Sequence, residues 1–374
     1  MWLEEMMNLL TPIADFANYL IFSLLVGHVV LQFVPESMKP SIQLPNRLLL
    51  ISTLGIIIFS FIAVFSLILF FDDSVGFATA AATVLMSFQI GQGWLFITVF
   101  AIFLWLTIYL ERSKYLQAFW IILMMIAIGY SSHVSTQSFV VGIFSQTTHF
   151  LMVMVWVGVV LLVSWFSKDK DHWTEFLQWF SPLAVVCMVN IFATGFVIMM
   201  TIDQPSEYLN GWATPYGRML LFKHISIIPI IMFAIINGIL SKRVSASSQY
   251  DPRTWLKAES VILLLVFYFT AVLGTLSPPF EMMENATQTA SVPTWIDWLL
   301  AKNLPLPIEI EFAPTFFSIL LITTALLFLL LILISYRKMS PVFATVFGGC
   351  FILTLYLGLI FSCALYPIVR ADIL

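Results

Sequence analysis

The stretch His149-Phe150-Leu151-Met152-Val153-Met154-Val155-Trp156-Val157-Gly158 decides what kind of protein this is. It lies inside a run, residues 143–166, that holds no Asp, Glu, Lys or Arg. A run of that length and apolarity crosses a bilayer as a helix, because about 20 residues at ~1.5 Å each span the hydrocarbon core. An imidazole inside such a run is costly unless it has a partner or a task, so His149 is a functional candidate from the outset.

The rest of the chain is built the same way. Of its 374 residues, 61% are hydrophobic and only 10% are charged, and the mean hydropathy is +1.00. No soluble domain carries such a surface, whereas a membrane helix bundle requires it. The fold class expected is an all-α integral membrane protein, a polytopic bundle of about ten transmembrane helices. The approximate spans are 12–34, 48–71, 88–110, 115–132, 143–166, 180–202, 217–240, 257–277, 313–336 and 342–367, the fourth being the shortest.

Lys and Arg orient the bundle. Lys39 and Arg47, Arg112 and Lys114, Lys168 and Lys170, Lys242, Arg243, Arg253 and Lys257, and Arg337 and Lys338 occupy alternate loops, twelve of the sixteen basic residues. The intervening loops hold Asp72 and Asp73, Asp203 and Glu207, and a long acidic segment with Glu281, Glu284, Asp297, Glu309 and Glu311. Positive charge marks the inner side, which puts both termini outside. The acidic Met1-Trp2-Leu3-Glu4-Glu5 has no basic stretch before the first apolar run, so that run is expected to be retained as a span.

The expected organisation is a transmembrane bundle over 1–276, an outer segment over 277–312, and two further transmembrane helices within 313–374. The outer segment holds Pro278, Pro279, Pro293, Pro305 and Pro307 with Trp295 and Trp298, which suits an interfacial position. Cys187, Cys350 and Cys363 lie in apolar runs and form no metal-binding cysteine motif. There is no nucleotide-binding glycine motif and no basic nucleic-acid patch, so neither an ATP-driven pump nor a nucleic-acid partner has support, and nothing suggests an enzyme.

Five histidines remain to be placed. His133 falls at the outer end of the fourth span. His149 lies about six residues into the fifth from outside, roughly 9 Å of rise, and His224 sits similarly deep in the seventh. His28 is in the inner half of the first, and His172 is in a charged inner loop. Met152 stands at i+3 from His149 and can share its face, with Trp156 at i+7. Met6-Met7, Met199-Met200 and Met282-Met283 are adjacent pairs on the outer side.

Imidazole binds copper, zinc and haem iron, and thioethers prefer Cu(I), so the candidate metal ligands are His133, His149, Met152 and His28. His224, Met199, Met200, Met282 and Met283 stand behind them. Lys223 would repel a cation at His224 and argues against it. The bland alternatives are methionine as a flexible filler of apolar helices and histidine as an interhelical hydrogen-bond partner.

These residues also fall into a recognisable order. Ser132-His133-Val134, His149 and Trp156-Val157-Gly158 are followed by Phe180-Ser181-Pro182 and Thr194-Gly195. Then come Thr214-Pro215-Tyr216-Gly217-Arg218-Met219-Leu220 with Lys223, and Asn237. Last are Glu259 and Leu273-Gly274-Thr275-Leu276-Ser277-Pro278-Pro279. Over roughly residues 125–280 this pattern resembles the bacterial CopD copper-resistance family. The resemblance implies a multi-pass protein of the bacterial cytoplasmic membrane that handles copper, often as uptake. Some members carry a fused CopC-type domain before the first span, where this chain has only about eleven residues. A separate extracytoplasmic CopC-like carrier is therefore an expected partner, beside copper and membrane lipid.

Three functions compete. The first is a copper permease taking Cu(I) from outer His and Met groups inward past His28. The second is an electron-transfer bundle with b-type haem held between histidines. The third is a copper-binding assembly factor or sensor without flux.

Overall fold

The computed structural model describes residues 2–169, 171–202, 208–240, 252–276 and 308–367. The helices are α1 (Trp2–Phe33), α2 (Asn46–Val75), α3 (Phe77–Ser87), α4 (Gln89–Tyr109), α5 (Lys114–Tyr130), α6 (His133–Gln137) and α7 (Phe139–Phe166). They continue with α8 (Trp173–Ile202), α9 (Tyr208–Gly211), α10 (Pro215–Ile235), α11 (Pro252–Gly274), α12 (Phe316–Lys338) and α13 (Pro341–Ile360). A π-helical turn, Ile236–Leu240, extends α10.

Among the described residues nine helices are long and apolar enough to cross a membrane. The 17-residue α5, the expected fourth span, is a shorter apolar helix, at the lower limit for crossing. The chain is thus a polytopic helical membrane protein.

Local chemistry sets the helix starts. Ser113 accepts the Tyr115 N–H, Ser132 the Ser135 N–H, and Thr214 the Gly217 N–H, each satisfying an amide that the first turn leaves unpaired. Pro215, which has no N–H to lose, opens α10. Thr315 and Ser318 bond reciprocally at the start of α12.

Helix α7 is the hub. It packs against α1, α5, α8 and α11, and every residue from Trp156 to Ser164 is buried, as befits a helix apolar all round. Its closest contact is with α1, where Gly27 and Gly158 meet. A Cβ on Gly27 would lie 2.8 Å from the Gly158 Cα. Only glycine on both sides allows the two backbones that near. Helix α8 packs chiefly on α7 and leaves Val185, Val189, Phe192 and Phe196 exposed toward the lipid. Helices α12 and α13 pair with each other and lean on α10 and α11.

Two segments differ from the sequence expectation. Residues 77–87, expected in a loop, form α3, because the alanine-rich stretch is a strong helix former and buries Ala80 and Val84 against its neighbours. The last span, expected to reach 367, ends at Ile360. Cys363–Pro367 instead forms a strand, β2, antiparallel to β1 (Ile308–Phe312), with Ile310 opposite Leu365. The alternation Ile308-Glu309-Ile310-Glu311-Phe312 has a period of two, which suits a strand, whereas hydropathy alone extends a helix across its partner. Most of the outer segment, residues 277–307, lies outside the described residues.

At the end carrying Lys39, Lys114 and Lys168, Ile42 and Ser167 form an isolated antiparallel bridge. It is closed by the Gln43 N–H to the Phe166 carbonyl and the Lys168 N–H to the Ser41 carbonyl, both 2.9 Å. Asp169 accepts the Ser41 backbone N–H at 3.2 Å and the Ser41 hydroxyl. These bonds hold its carboxyl below the usual aspartate range, the hydroxyl contributing most.

Candidate functional site

A cavity of about 1010 Å³ lies between α7 and α8 on one side and α10 and α11 on the other, with Tyr19 of α1 closing it. Its wall is mostly apolar. Phe192, Phe196 and Ile228 both line it and stand exposed, so it opens sideways toward the membrane. Its polar groups include Gln146, His149, Tyr208, Tyr216, Lys223 and His224, and its sulfur groups are Met154, Met188 and Met199.

The His149 ring is oriented by α8. Its Nδ1 lies 3.1 Å from the Ile191 carbonyl and 3.2 Å from the Thr194 hydroxyl oxygen. A carbonyl only accepts, so Nδ1 carries the proton and Nε2 keeps its lone pair. Thr194 spends its own proton on the Asn190 carbonyl at 2.6 Å. Gly195 supplies the room, since a Cβ there would sit 3.3 Å from the ring Cε1.

His224 is held in a parallel way. Its Nδ1 is 2.8 Å from the Tyr208 hydroxyl, and the two rings lie 5.8 Å apart. A hydroxyl can donate or accept, so this contact orients the His224 ring without fixing its tautomer; Nε2 keeps its lone pair in the tautomer in which the phenol oxygen accepts. A ring whose Nδ1–H is fixed by the protein, leaving Nε2 to the open space, is the arrangement that metal-ligating histidines use.

The structure sorts the expected ligands. His149, His224 and Met199 share the cavity. Met152 does not line it and is half-buried against the core. The reason is helical phase: Gln146, His149, Phe150, Val153, Trp156 and Val157 form the cavity face of α7, and Met152 falls on the other side of His149. His133 opens the short α6 and stands exposed, away from the cavity lining. Met200 is 41% exposed. Met282 and Met283 lie outside the described residues.

His28 sits elsewhere, toward the cationic end. The Gln32 amide donates to its Nε2 at 2.6 Å and to Gln117 at 3.0 Å, and Lys114 donates to the Gln32 carbonyl at 3.0 Å.

Sequence reasoning passed over Met154 and Met188. Met154 is fully buried in the α7 core and receives a hydrogen bond from the Ser23 hydroxyl at 3.1 Å. The Met152/Met154 spacing around His149 was visible, but which of the two faced a cavity was not.

Among the described residues no three of His, Cys, Asp and Glu come together as a metal site. That argues against a structural zinc centre there, which takes four such ligands. Two imidazoles and three thioethers lining one cavity are donors of the kind that suit a soft ion instead.

Residues 174–273, which run from α8 through α11, match the family model of copper resistance protein D. The match includes His224, Met188, Met199, Thr194 and Gly195, while His149 and Met154 on the opposite wall precede it. Neither a curated protein nor a solved structure matches the chain. Over residues 174–273, well under half of the chain, this protein is thus similar to the copper resistance protein D family, and its long apolar helices are those of a multi-pass membrane protein.

Proposed function

We propose that this protein carries copper, as Cu(I), through the cavity between α7–α8 and α10–α11 of a bacterial cytoplasmic membrane, from the outer side inward. The observation that carries the reading is that His149, His224 and three methionines line one cavity, with both Nδ1 atoms occupied by the protein. Met199 and Met188 lie eleven residues apart on α8, roughly 16 Å of rise. Since His149 bonds to Ile191 and Thr194, which lie between them in α8, the two thioethers bracket its imidazole along the path. Low-coordinate exchange among such ligands lets an ion leave as readily as it binds.

Exposed His133 and Met200 serve as outer contacts in this reading, together with Met282 and Met283, where a CopC-like carrier would deliver the ion. His28 lies beyond the cavity, toward the cationic end. The Lys223 charge in the same cavity opposes the ion and keeps its residence short.

The test is anaerobic Cu(I) flux into proteoliposomes, wild type beside His149→Ala and His224→Ala. Loss of flux in both variants is expected. Unchanged flux in both sinks the reading, and binding without flux in wild type indicates an assembly factor or sensor instead.

A second reading is favoured by the same pair of imidazoles in so large an apolar cavity: b-type haem with His149 and His224 as axial ligands. The visible spectrum of the purified protein separates the two, since a haem protein shows a Soret band that either histidine variant alters.

A further inference from the structure

Trp156 lines the cavity, and its indole N–H also lies beside a carboxyl that does not line it, that of Glu259 on α11. Glu259 is 2% exposed. Its one strong hydrogen bond comes from the Asn237 side-chain amide, at 2.7 Å, and the same amide reaches the Trp255 carbonyl at 3.4 Å. Asn237 lies in the π-helical turn Ile236–Leu240, the kind of helix irregularity that accompanies functional sites.

Among the described residues no cation answers the carboxyl. Glu259 makes no ion pair among the described residues. On its own helix, Arg253 donates to the Ser164 carbonyl at 3.2 Å and Lys257 lies over the Trp165 ring. On α10, Lys223 is nearly four helical turns above Asn237 and lines the cavity. From α7 the neighbour is Trp156, which does not titrate. On α1, Asp15 and Tyr19 lie near Gly274 at the opposite end of α11, while His28 is engaged by Gln32. On α13, Gly348 is the residue that faces Ile262 and Pro229, so Cys350, two positions on, turns away; Tyr356 stacks on Phe222 higher up. Tyr336 of α12 meets the Trp255 ring edge-on, 5.7 Å between centroids.

We propose that Glu259 is a proton-binding site that exchanges its proton against the cation in the cavity. An acid buried in a membrane bundle without a cation holds its proton, because the bare carboxylate would be unpaired in a low-dielectric interior. A monovalent copper ion entering a cavity that already holds Lys223 adds a second positive charge. Breaking the Glu259 O–H bond and releasing H⁺ leaves a carboxylate behind Trp156 that offsets the added charge. Asn237 continues to donate to it. Nothing is oxidised or reduced: one Cu⁺ is gained, one H⁺ is lost, and the local charge is unchanged. The proton leaves toward the cationic end, where α11 begins at Pro252, seven residues or about 10 Å away. The exchange rests on the copper reading, whereas the protonated carboxyl does not.

The experiment has two readouts on the full chain in detergent. The first is the infrared C=O stretch of a protonated carboxyl, in wild type and in Glu259→Gln, which keeps an acceptor for Asn237. The second is proton release on anaerobic addition of Cu(I) in weak buffer, measured with a pH indicator beside the copper bound. The expected result is a protonated-carboxyl band absent from the variant, and about one proton released per copper in wild type only, with copper still bound by both. A wild type without the band, or with the same proton release as Glu259→Gln, overturns the proposal while leaving the copper reading intact. Failure of wild type to bind copper overturns the copper reading and the exchange with it, and the infrared band then decides the proton site alone.

Discussion

Replacing Gly195 by alanine should weaken Cu(I) binding roughly two- to tenfold while leaving the bundle folded. The added Cβ would lie 3.3 Å from Cε1 and 3.5 Å from Nδ1 of His149. Carbon atoms rest about 3.5–4.0 Å apart, so the ring has to retreat by about 0.2–0.7 Å. It cannot do so freely, because Nδ1 is bonded to the Ile191 carbonyl at 3.1 Å on the same helix that carries Gly195. Retreat stretches that bond toward the distance at which it ceases to count. A lost hydrogen bond is worth ~0.5–1.5 kcal/mol, and ~1.4 kcal/mol is tenfold in affinity, which gives the range stated. Valine, with two further methyl groups against the ring, should exceed tenfold. The assay is competition for Cu(I) with a chromogenic chelator, run beside thermal melting in detergent. Gly349→Ala is the control, since nothing lies within 4 Å of a Cβ at that position. Equal copper affinity in wild type, Gly195→Ala and Gly195→Val would show that the His149 ring position does not matter to the ion.

Met154→Leu and Met188→Leu, near-isosteric changes costing under ~1.5 kcal/mol, should reduce Cu(I) affinity with little change in melting temperature, and equal affinity would remove the thioethers from the site. Met154→Ala, by contrast, empties a fully buried position and should cost ~2–5 kcal/mol of stability, read as a lower melting temperature whether or not copper is present. Gly158→Leu puts side chain where the Ser23 carbonyl and the Gly27 backbone already stand; more than the ~1–3 kcal/mol of ordinary overpacking is expected, and a normal yield of monodisperse protein on size-exclusion chromatography would refute the contact. The Asp169 carboxyl is held below its usual range by Ser41, so its contribution to the loop contact at the cationic end is complete above the ordinary aspartate range and fades as pH falls through the lower folded value. Amide exchange at Ser41, corrected for its intrinsic pH dependence, should lose protection along that descent in wild type, and Asp169→Asn should abolish the pH dependence.

Much of this architecture was legible in one dimension. Length and apolarity mark a membrane helix wherever it lies, because the bilayer itself sets both. The 143–166 run therefore coincides with the body of α7 (Phe139–Phe166), and the ordered segments from Phe180 to Gly274 led to the family whose model matches residues 174–273. Length and apolarity do not, however, separate a strand from a helix end, which is why Cys363–Pro367 was misassigned. The alternating acids of its partner Ile308–Phe312 carried that information instead.

The sequence by itself determined that this chain must live in a bilayer, and that a few imidazoles and thioethers must be placed within it. Burial in lipid constrains composition residue by residue, with no need to know which helices touch. Only the tertiary structure decided which of those groups meet. His149 and His224 share a cavity because α7 and α10 face each other across it, and Met154 joins them where Met152 does not. Helical phase leaves the choice of face open until neighbouring helices are in place. The same is true of Glu259, which the sequence marks only as one piece of an ordered pattern, and whose burial beside Trp156 and Asn237 exists only once α7, α10 and α11 have packed.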